Sequence, residues 1–185
     1  MDFSKLQLKD IAISAKGAKS AAAVLENGEK LVWTCPEKVV TPWGATNFGD
    51  EQQVRRTIEF SLSTPALQEC FKRFDDWAVK YLATNSERLF KKQLTEKQVG
   101  EVYRSPMSAR EGYAPTWRCK IGPSSCRFWN DAGMLMEMPE LRGRQCRPKA
   151  QLSHLWCMNK EIGFVWTVTD LQVSEEDLSC PFEGG

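Results

Sequence analysis

The order of periodic segments predicts a mainly β fold, a small barrel of strands carrying one inserted helix, and three stretches carry that prediction. "RRTIEFSL", residues 55 to 62, alternates Arg56, Ile58, Phe60 and Leu62 with Arg55, Thr57, Glu59 and Ser61, the period of two expected of a half-buried strand. "STPALQECFKRFDDWAVKYLATN" then changes to helical spacing. The last long stretch, "QLSHLWCMNKEIGFVWTVTDLQV", reads as a hairpin, Gln151 to Met158 and Phe164 to Val173 around a turn through Asn159 to Gly163. Strands, a helical insert and more strands is the layout of the OB-fold, with the helix between the third and fourth strands. A single sequence does not state strand order, so a β-sandwich satisfies the same pattern.

Taken in order, residues 1 to 28 are Ala-rich and Lys-dotted and predict a leading strand with a loose turn, an extension at the N-terminal end of the domain. "EKLVWTCPEKVV", residues 29 to 40, sets Leu31, Trp33 and Cys35 against Lys30, Val32 and Thr34. Pro36 has no N–H for a ladder, which places a bulge or an edge there. In the helix, Thr64 is the cap and Pro65 the first residue, and Leu67, Phe71, Phe74, Ala78 and Tyr81 form a packing stripe over about 65 to 82. Shorter helices are expected in "SERLFKKQL" and "TEKQVGEVY". Beyond "GYAPT", "WRCKIG" puts Trp117, Cys119 and Ile121 on one face and Arg118 and Lys120 on the other. "CRFWND" follows a Gly-Pro-Ser-Ser turn, and "PELRGRQCRPKA" reads as a basic connection without periodicity. Residues 1 to 173 make one domain on this reading, and 174 to 185 an acidic C-terminal tail.

At 185 residues, 42% hydrophobic and 26% charged, the composition is that of a single globular domain. No apolar run approaches the length of a membrane span, so no membrane partner is expected. The N-terminus lacks the basic flank and apolar core of a secretory signal. Seven cysteines, an odd number, fit reduced thiols in an intracellular protein better than a disulfide framework. Charge is uneven: nine basic residues against four acids between Arg104 and Lys149, then four acids and no base in "SEEDLSCPFEGG". A basic body with an acidic tail suggests a polyanion-binding surface and a segment that competes for it, although chance clustering in solvated loops accounts for the charge alone equally well.

Enzymatic chemistry finds little support. His154 is the sole histidine, which excludes mechanisms needing two. Cys119, Cys126, His154 and Cys157 can be assembled into a zinc set, but six residues separate the first pair where a zinc site usually has two to four. Buried structural thiols are the simpler reading. No glycine-rich phosphate loop is present, and Glu51, Glu59 and Asp131 show no pairing. No catalytic residue, metal or cofactor is expected. What remains is aromatic rings interleaved with cations. Unpaired bases stack on rings for about 1–3 kcal/mol each while Lys and Arg follow the phosphates. The loop "TPWGATNFGD" offers Trp43 and Phe48, and Trp129 leads into Asn-Asp. Lys38, Arg55, Arg118, Lys120 and Arg127 supply cations on strands, and Arg142, Arg144, Arg147 and Lys149 a flexible basic loop that clamps the backbone. Filling of the interior is an alternative for Trp33, Trp117, Trp156 and Trp166, and for Trp156 and Trp166 it is the expectation. The helix at 65 to 82 mixes Lys72, Arg73 and Lys80 with Glu69, Asp75 and Asp76, which argues against a duplex reader. Single-stranded RNA and a peptide-binding adaptor stay open beside single-stranded DNA.

"TPWGATNFGD", "TIEFSL", the helical insert, "GYAPTWRCKIG" and "LSHLWCMNKEIGFVWTVTDLQV", in that order from about residue 30 to 173, resemble the OB-fold single-stranded-DNA-binding proteins of large DNA viruses, relatives of the single-stranded-DNA-binding protein of bacteriophage T7. The resemblance implies a five-stranded barrel with a packed helix, sequence-tolerant binding of single-stranded DNA in replication, recombination or repair, and no catalysis. It also implies an acidic tail that shields the DNA groove and docks replication proteins. Glu175, Glu176, Asp177 and Phe182 stand for that tail here, although Phe182 is followed by Glu-Gly-Gly. A nuclear or viral replication site is implied on the same ground, with self-association left open.

Overall fold

The computed structural model describes residues 1–46 and 56–175. Six short strands come first: β1 (Leu6–Leu8), β2 (Ala12–Ile13), β3 (Lys19–Leu25), β4 (Val32–Thr34), β5 (Val39–Val40) and β6 (Ala45–Thr46). β7 (Arg56–Ser61) leads into α1 (Pro65–Thr84), α2 (Ser86–Phe90) and α3 (Glu96–Val102). β8 (Tyr103–Arg104), β9 (Met107–Ser108), β10 (Thr116–Ile121), β11 (Arg127–Trp129) and β12 (Leu135–Met136) follow, and the long hairpin β13 (Gln145–Met158) and β14 (Glu161–Val173) closes the series. The chain is mainly β, and no described helix is long and apolar enough to cross a membrane.

α1 forms where its local signals place it. Thr64 Oγ1 accepts the Leu67 N–H at 3.4 Å, Pro65 occupies the first turn, and Leu67, Phe71, Phe74, Ala78 and Leu82 are buried. Tyr81, expected in that stripe, is only half-buried. Its hydroxyl accepts the Leu8 N–H at 2.9 Å and its ring stacks on Trp77 at 5.0 Å, so Leu82 takes the core position. α3 begins in a capping box between Thr95 and Gln98, which satisfies two N-terminal donors at once. The buried side of α1 meets a cluster of rings. Phe71 lies 4.9 Å from Trp117, Trp117 stands edge-on to Trp166 at 5.6 Å, and Trp33 packs edge-on to Trp117 at 5.3 Å. Such pairs contribute about 0.5–1.5 kcal/mol each beyond their burial.

The hydrogen-bonded path runs β1-β3-β13-β14-β10-β7-β6 and is open. β13 carries β3 along its C-terminal half and β4 and β5 along its N-terminal half. β14 is antiparallel to β13 and parallel to β8, β10 and β11 in succession. The single stretch from β4 to β6 thus pairs with β13 at its start and with β7 at its end. Pro36 falls in the break between β4 and β5, where a missing N–H costs no ladder bond.

Three sequence expectations are corrected. Residues 145 to 150, read as part of a connection, belong to β13. Cys146, Pro148 and Ala150 are buried while Gln145, Arg147 and Lys149 are exposed, a period of two hidden by the prolines and arginines. The Pro148 carbonyl accepts the Cys35 N–H at 2.9 Å, and a register shift at Lys149/Ala150 absorbs the irregularity. The hairpin turn is Asn159-Lys160 alone, with φ of 52° and 64°, the two positive values of a tight type I′ connection; β14 accordingly starts at Glu161. Trp156, assigned to the interior, is half-buried, because it pairs with Gly163 on the face opposite to the buried Leu155–Phe164 pair.

Candidate nucleic-acid interface

β7 and β10 pair antiparallel with Arg118 opposite Glu59 and Lys120 opposite Thr57. Alternation sends Ile58, Phe60, Trp117 and Cys119 into the core, so Thr57, Glu59, Arg118 and Lys120 share the other face. Glu59 is only 5% exposed and fully engaged. Thr116 Oγ1 donates to it at 2.8 Å, while Arg110 and Arg118 each approach it at 3.5 Å. Lys120 Nζ donates to Thr57 Oγ1 at 2.9 Å. The carboxylate lies at the bottom and the two guanidinium groups, each half-exposed, spread above it. A buried acid used this way orients cations without neutralising the patch: one carboxylate serves Arg110 and Arg118, and Lys120 adds a further positive charge.

At one end of this face lies the aromatic loop. Trp43 is half-buried, edge-on to Tyr113 at 5.8 Å, with the Arg110 guanidinium 5.5 Å above its ring. Its indole N–H is buried without a partner among the described residues, beside a recess of about 60 Å³ lined also by Ser61, Ser108 and Thr116. The loop is held by its neighbours. The Thr41 N–H donates to the Arg144 carbonyl at 3.0 Å and the Gly143 N–H to the Thr41 carbonyl at 2.8 Å, and Thr41 Oγ1 donates to the Leu141 carbonyl. Gly44 has φ +68°, and a Cβ there would lie 3.0 Å from the Arg142 nitrogen; only glycine brings the two loops this close. Arg142 itself is exposed.

A second cationic group sits further along β14. Val168 and Leu171 are both buried, so the register shift leaves Thr169 and Asp170 outside the core. Asp170 pairs with Arg127 at 2.7 Å and Lys149 at 3.9 Å and accepts the Trp129 indole N–H at 3.2 Å. The Arg127 guanidinium lies 5.6 Å over the Trp129 ring. The remaining predicted cations are anchored nearby. Lys38 bonds Asp131 at 2.7 Å and Ser174 at 2.8 Å, a contact that holds the Asp131 carboxyl below its ordinary range. Arg144 donates to the Ser174 carbonyl at 2.7 Å and Arg147 to the Cys35 carbonyl at 2.9 Å. Arg147 and Lys149 therefore stand on a strand, not on the flexible loop expected of them.

The fold brings Trp43, Arg118 and Lys120 onto one surface and Arg127, Trp129 and Lys149 into another group. Phe48, Arg55, Glu176, Asp177 and Phe182 lie outside the described residues, and Glu175 is the last of those described. Sequence reasoning missed Arg110, Tyr113 and Glu59. The first two occupy "SAREGYAPT", a Gly- and Pro-bearing turn with a ring and a cation, the same signature that singled out Trp43. Glu59 had no such signal. Cys119, Cys126, His154 and Cys157, weighed as a zinc set, are not gathered, since no group of three metal-ligating side chains occurs among the described residues. Burial instead pushes the Cys126 and Cys146 thiols up to about 12 and Cys119 well above the ordinary thiol value.

No protein-family model matches the chain, and no curated protein matches it in sequence. Its fold does have solved counterparts. The single-stranded DNA-binding protein from bacteriophage Enc34 superimposes with a TM-score of 0.51 at 10% identity, over 97% of this chain and 94% of that one. A C-terminal truncation of that protein gives 0.52 at 9% identity, over 92% and 96%. The crystal structure of gp2.5, a single-stranded DNA-binding protein encoded by bacteriophage T7, gives 0.48 at 14% identity, over 84% and 91%. With the Enc34 protein, this chain shares the fold over nearly its whole length.

Proposed function

We propose that this chain binds and protects single-stranded DNA without sequence selection, as a non-enzymatic component of replication, recombination or repair in an intracellular, virus-related setting. The observation that carries the reading is the β7–β10 face, where Arg118 and Lys120 stand beside the Trp43–Tyr113–Arg110 cluster. Rings for bases next to cations for phosphates is the pairing that single strands require. The pairing order supports an OB barrel: along the open sheet, β13, β14, β10, β7 and β6 follow one another, and the β4–β6 stretch also touches β13, which is the neighbour order of OB strands with β7 and β10 as the second and third. In OB-folds that face, between the loops joining the first two and last two strands, takes up oligonucleotides. In this order the helices fall between the second and third strands, one step earlier than expected. Arg127, Trp129 and Lys149, with Lys38, Arg142, Arg144 and Arg147, extend the phosphate path. Residues 1 to 173 form the binding domain, and the acidic residues from Glu175 onward form a tail for replication partners.

Titrating the intrinsic tryptophan fluorescence with oligo-dT at low and moderate salt tests this. Strong quenching with an affinity that falls steeply as salt rises is expected. Absence of quenching at low salt would refute the stacking surface, and tighter binding of a matched RNA oligonucleotide would transfer the reading to RNA.

A further inference from the structure

A second surface surrounds the tip of the β13–β14 hairpin. The β2–β3 turn, the α2–α3 segment and the tip of the β13–β14 hairpin enclose a groove of about 1030 Å³. Ile13, Leu89, Phe90, Leu94, Met158 and Ile162 line it, and Ile13 and Met158 are each 65% exposed. Clustered large apolar residues left in water mark interaction sites more often than isolated ones do. The rim carries Lys16, Lys19, Lys91 and Lys160, none of which forms an ion pair with a described residue. Glu161, the single acid of the lining, is taken by Arg104 at 2.6 Å. Trp156 forms one wall, its indole packed so closely on Gly163 that a Cβ there would lie 2.9 Å from the ring.

We propose that this groove docks an amphipathic acidic helix of a partner protein. Three observations select that occupant. The lining is largely aliphatic, which accepts Leu- or Ile-type side chains at i, i+3, i+4 and i+7 but gives bases few planar faces. The rim lysines, none of which meets a carboxylate among the described residues, call for carboxylates flanking that apolar stripe. A second copy meeting the same groove in a symmetric dimer would set lysines against lysines. The surface is also separate from the nucleic-acid face. No described residue of β7, β10 or the Trp43 loop lines the groove, which surrounds the Asn159–Lys160 turn, whereas β10 meets β14 further along, at Thr167. Both surfaces are therefore open to simultaneous occupation.

The test uses the full chain and a fluorescein-labelled synthetic helix with a leucine stripe flanked by glutamates, read by anisotropy. The glutamate peptide should bind, and the same peptide with lysines in place of glutamates should bind at least about tenfold more weakly. Lys16→Glu/Lys160→Glu, two substitutions at exposed lysines of the rim, should reverse that preference while the thermal midpoint stays unchanged. Saturating oligo-dT should leave peptide affinity unaltered. Equal binding of both peptides, no binding of either, or displacement by oligo-dT would overturn the proposal. So would tighter binding of a peptide of residues 174–185, which would make this chain's own tail the occupant. Loss of oligo-dT binding alone bears on the proposed function and leaves the groove's assignment standing.

Discussion

Replacing Tyr113 by Ala removes a ring that is 65% exposed and touches Trp43 edge-on at 5.8 Å. Little of that ring is withdrawn from water, so the fold loses no more than the ring–ring contact, about 0.5–1.5 kcal/mol. If Tyr113 stacks one base, binding loses about 1–3 kcal/mol, equivalent to a rise of about 5- to 150-fold in Kd. Oligo-dT titration followed by tryptophan fluorescence measures the second quantity and thermal denaturation the first. Trp43→Ala supplies the contrast: its indole is half-buried and lies under Arg110, so affinity and stability should fall together. The double variant should bind less weakly than the two single losses added, because the rings form one platform. Wild-type affinity in a stably folded Tyr113→Ala protein would refute the platform, and a large loss of stability would show that the exposed ring has a structural task.

Arg118→Ala and Lys120→Ala should weaken binding uniformly across sequences and each lower the slope of log affinity against log salt by about 0.7, the single-strand value per phosphate contact, measured by titration over a salt series. Gly44→Ala forces a Cβ within 3.0 Å of the Arg142 nitrogen at φ +68°; a loss of about 1–3 kcal/mol in chemical denaturation is expected, with weaker binding as the Trp43 loop moves. Asp75 lies against Tyr103 and Ser105, at 2.7 and 2.5 Å, and burial holds its carboxyl above the ordinary range, only partly opposed by those bonds. The folded state thus keeps this proton more tightly than the unfolded one. The stability it contributes is complete below the ordinary aspartate value and is lost as pH rises through the raised folded value. Asp75→Asn, neutral throughout, should flatten that part of the stability–pH profile and match or exceed the wild type at neutral pH, as read from urea midpoints.

What the sequence determined by itself is what neighbours in the chain decide. The Thr64 cap, Pro65 and the stripe from Leu67 to Ala78 specify α1 because their interactions close within one or two helical turns. The same holds for the alternation of β7 and β10, which sorts Arg118 and Lys120 from Trp117 and Cys119 before any partner strand is known. Local reading failed where the deciding partner is remote. The start of β13 was hidden because Pro148 and Arg147 look like a loop until β4 and β5 pair along them. Tyr81 left the core stripe because the Leu8 N–H, seventy-three residues away, takes its hydroxyl. Glu59 became an anchor when β10 and the 105–115 segment brought Thr116, Arg118 and Arg110 around it. Trp43 and Tyr113 meet only because β6 pairs with β7 and β10 pairs with β7 on its other side. The tertiary structure decided these matters because strand pairing and the burial of charge are properties of distant segments brought together, and no spacing within one segment encodes its partner.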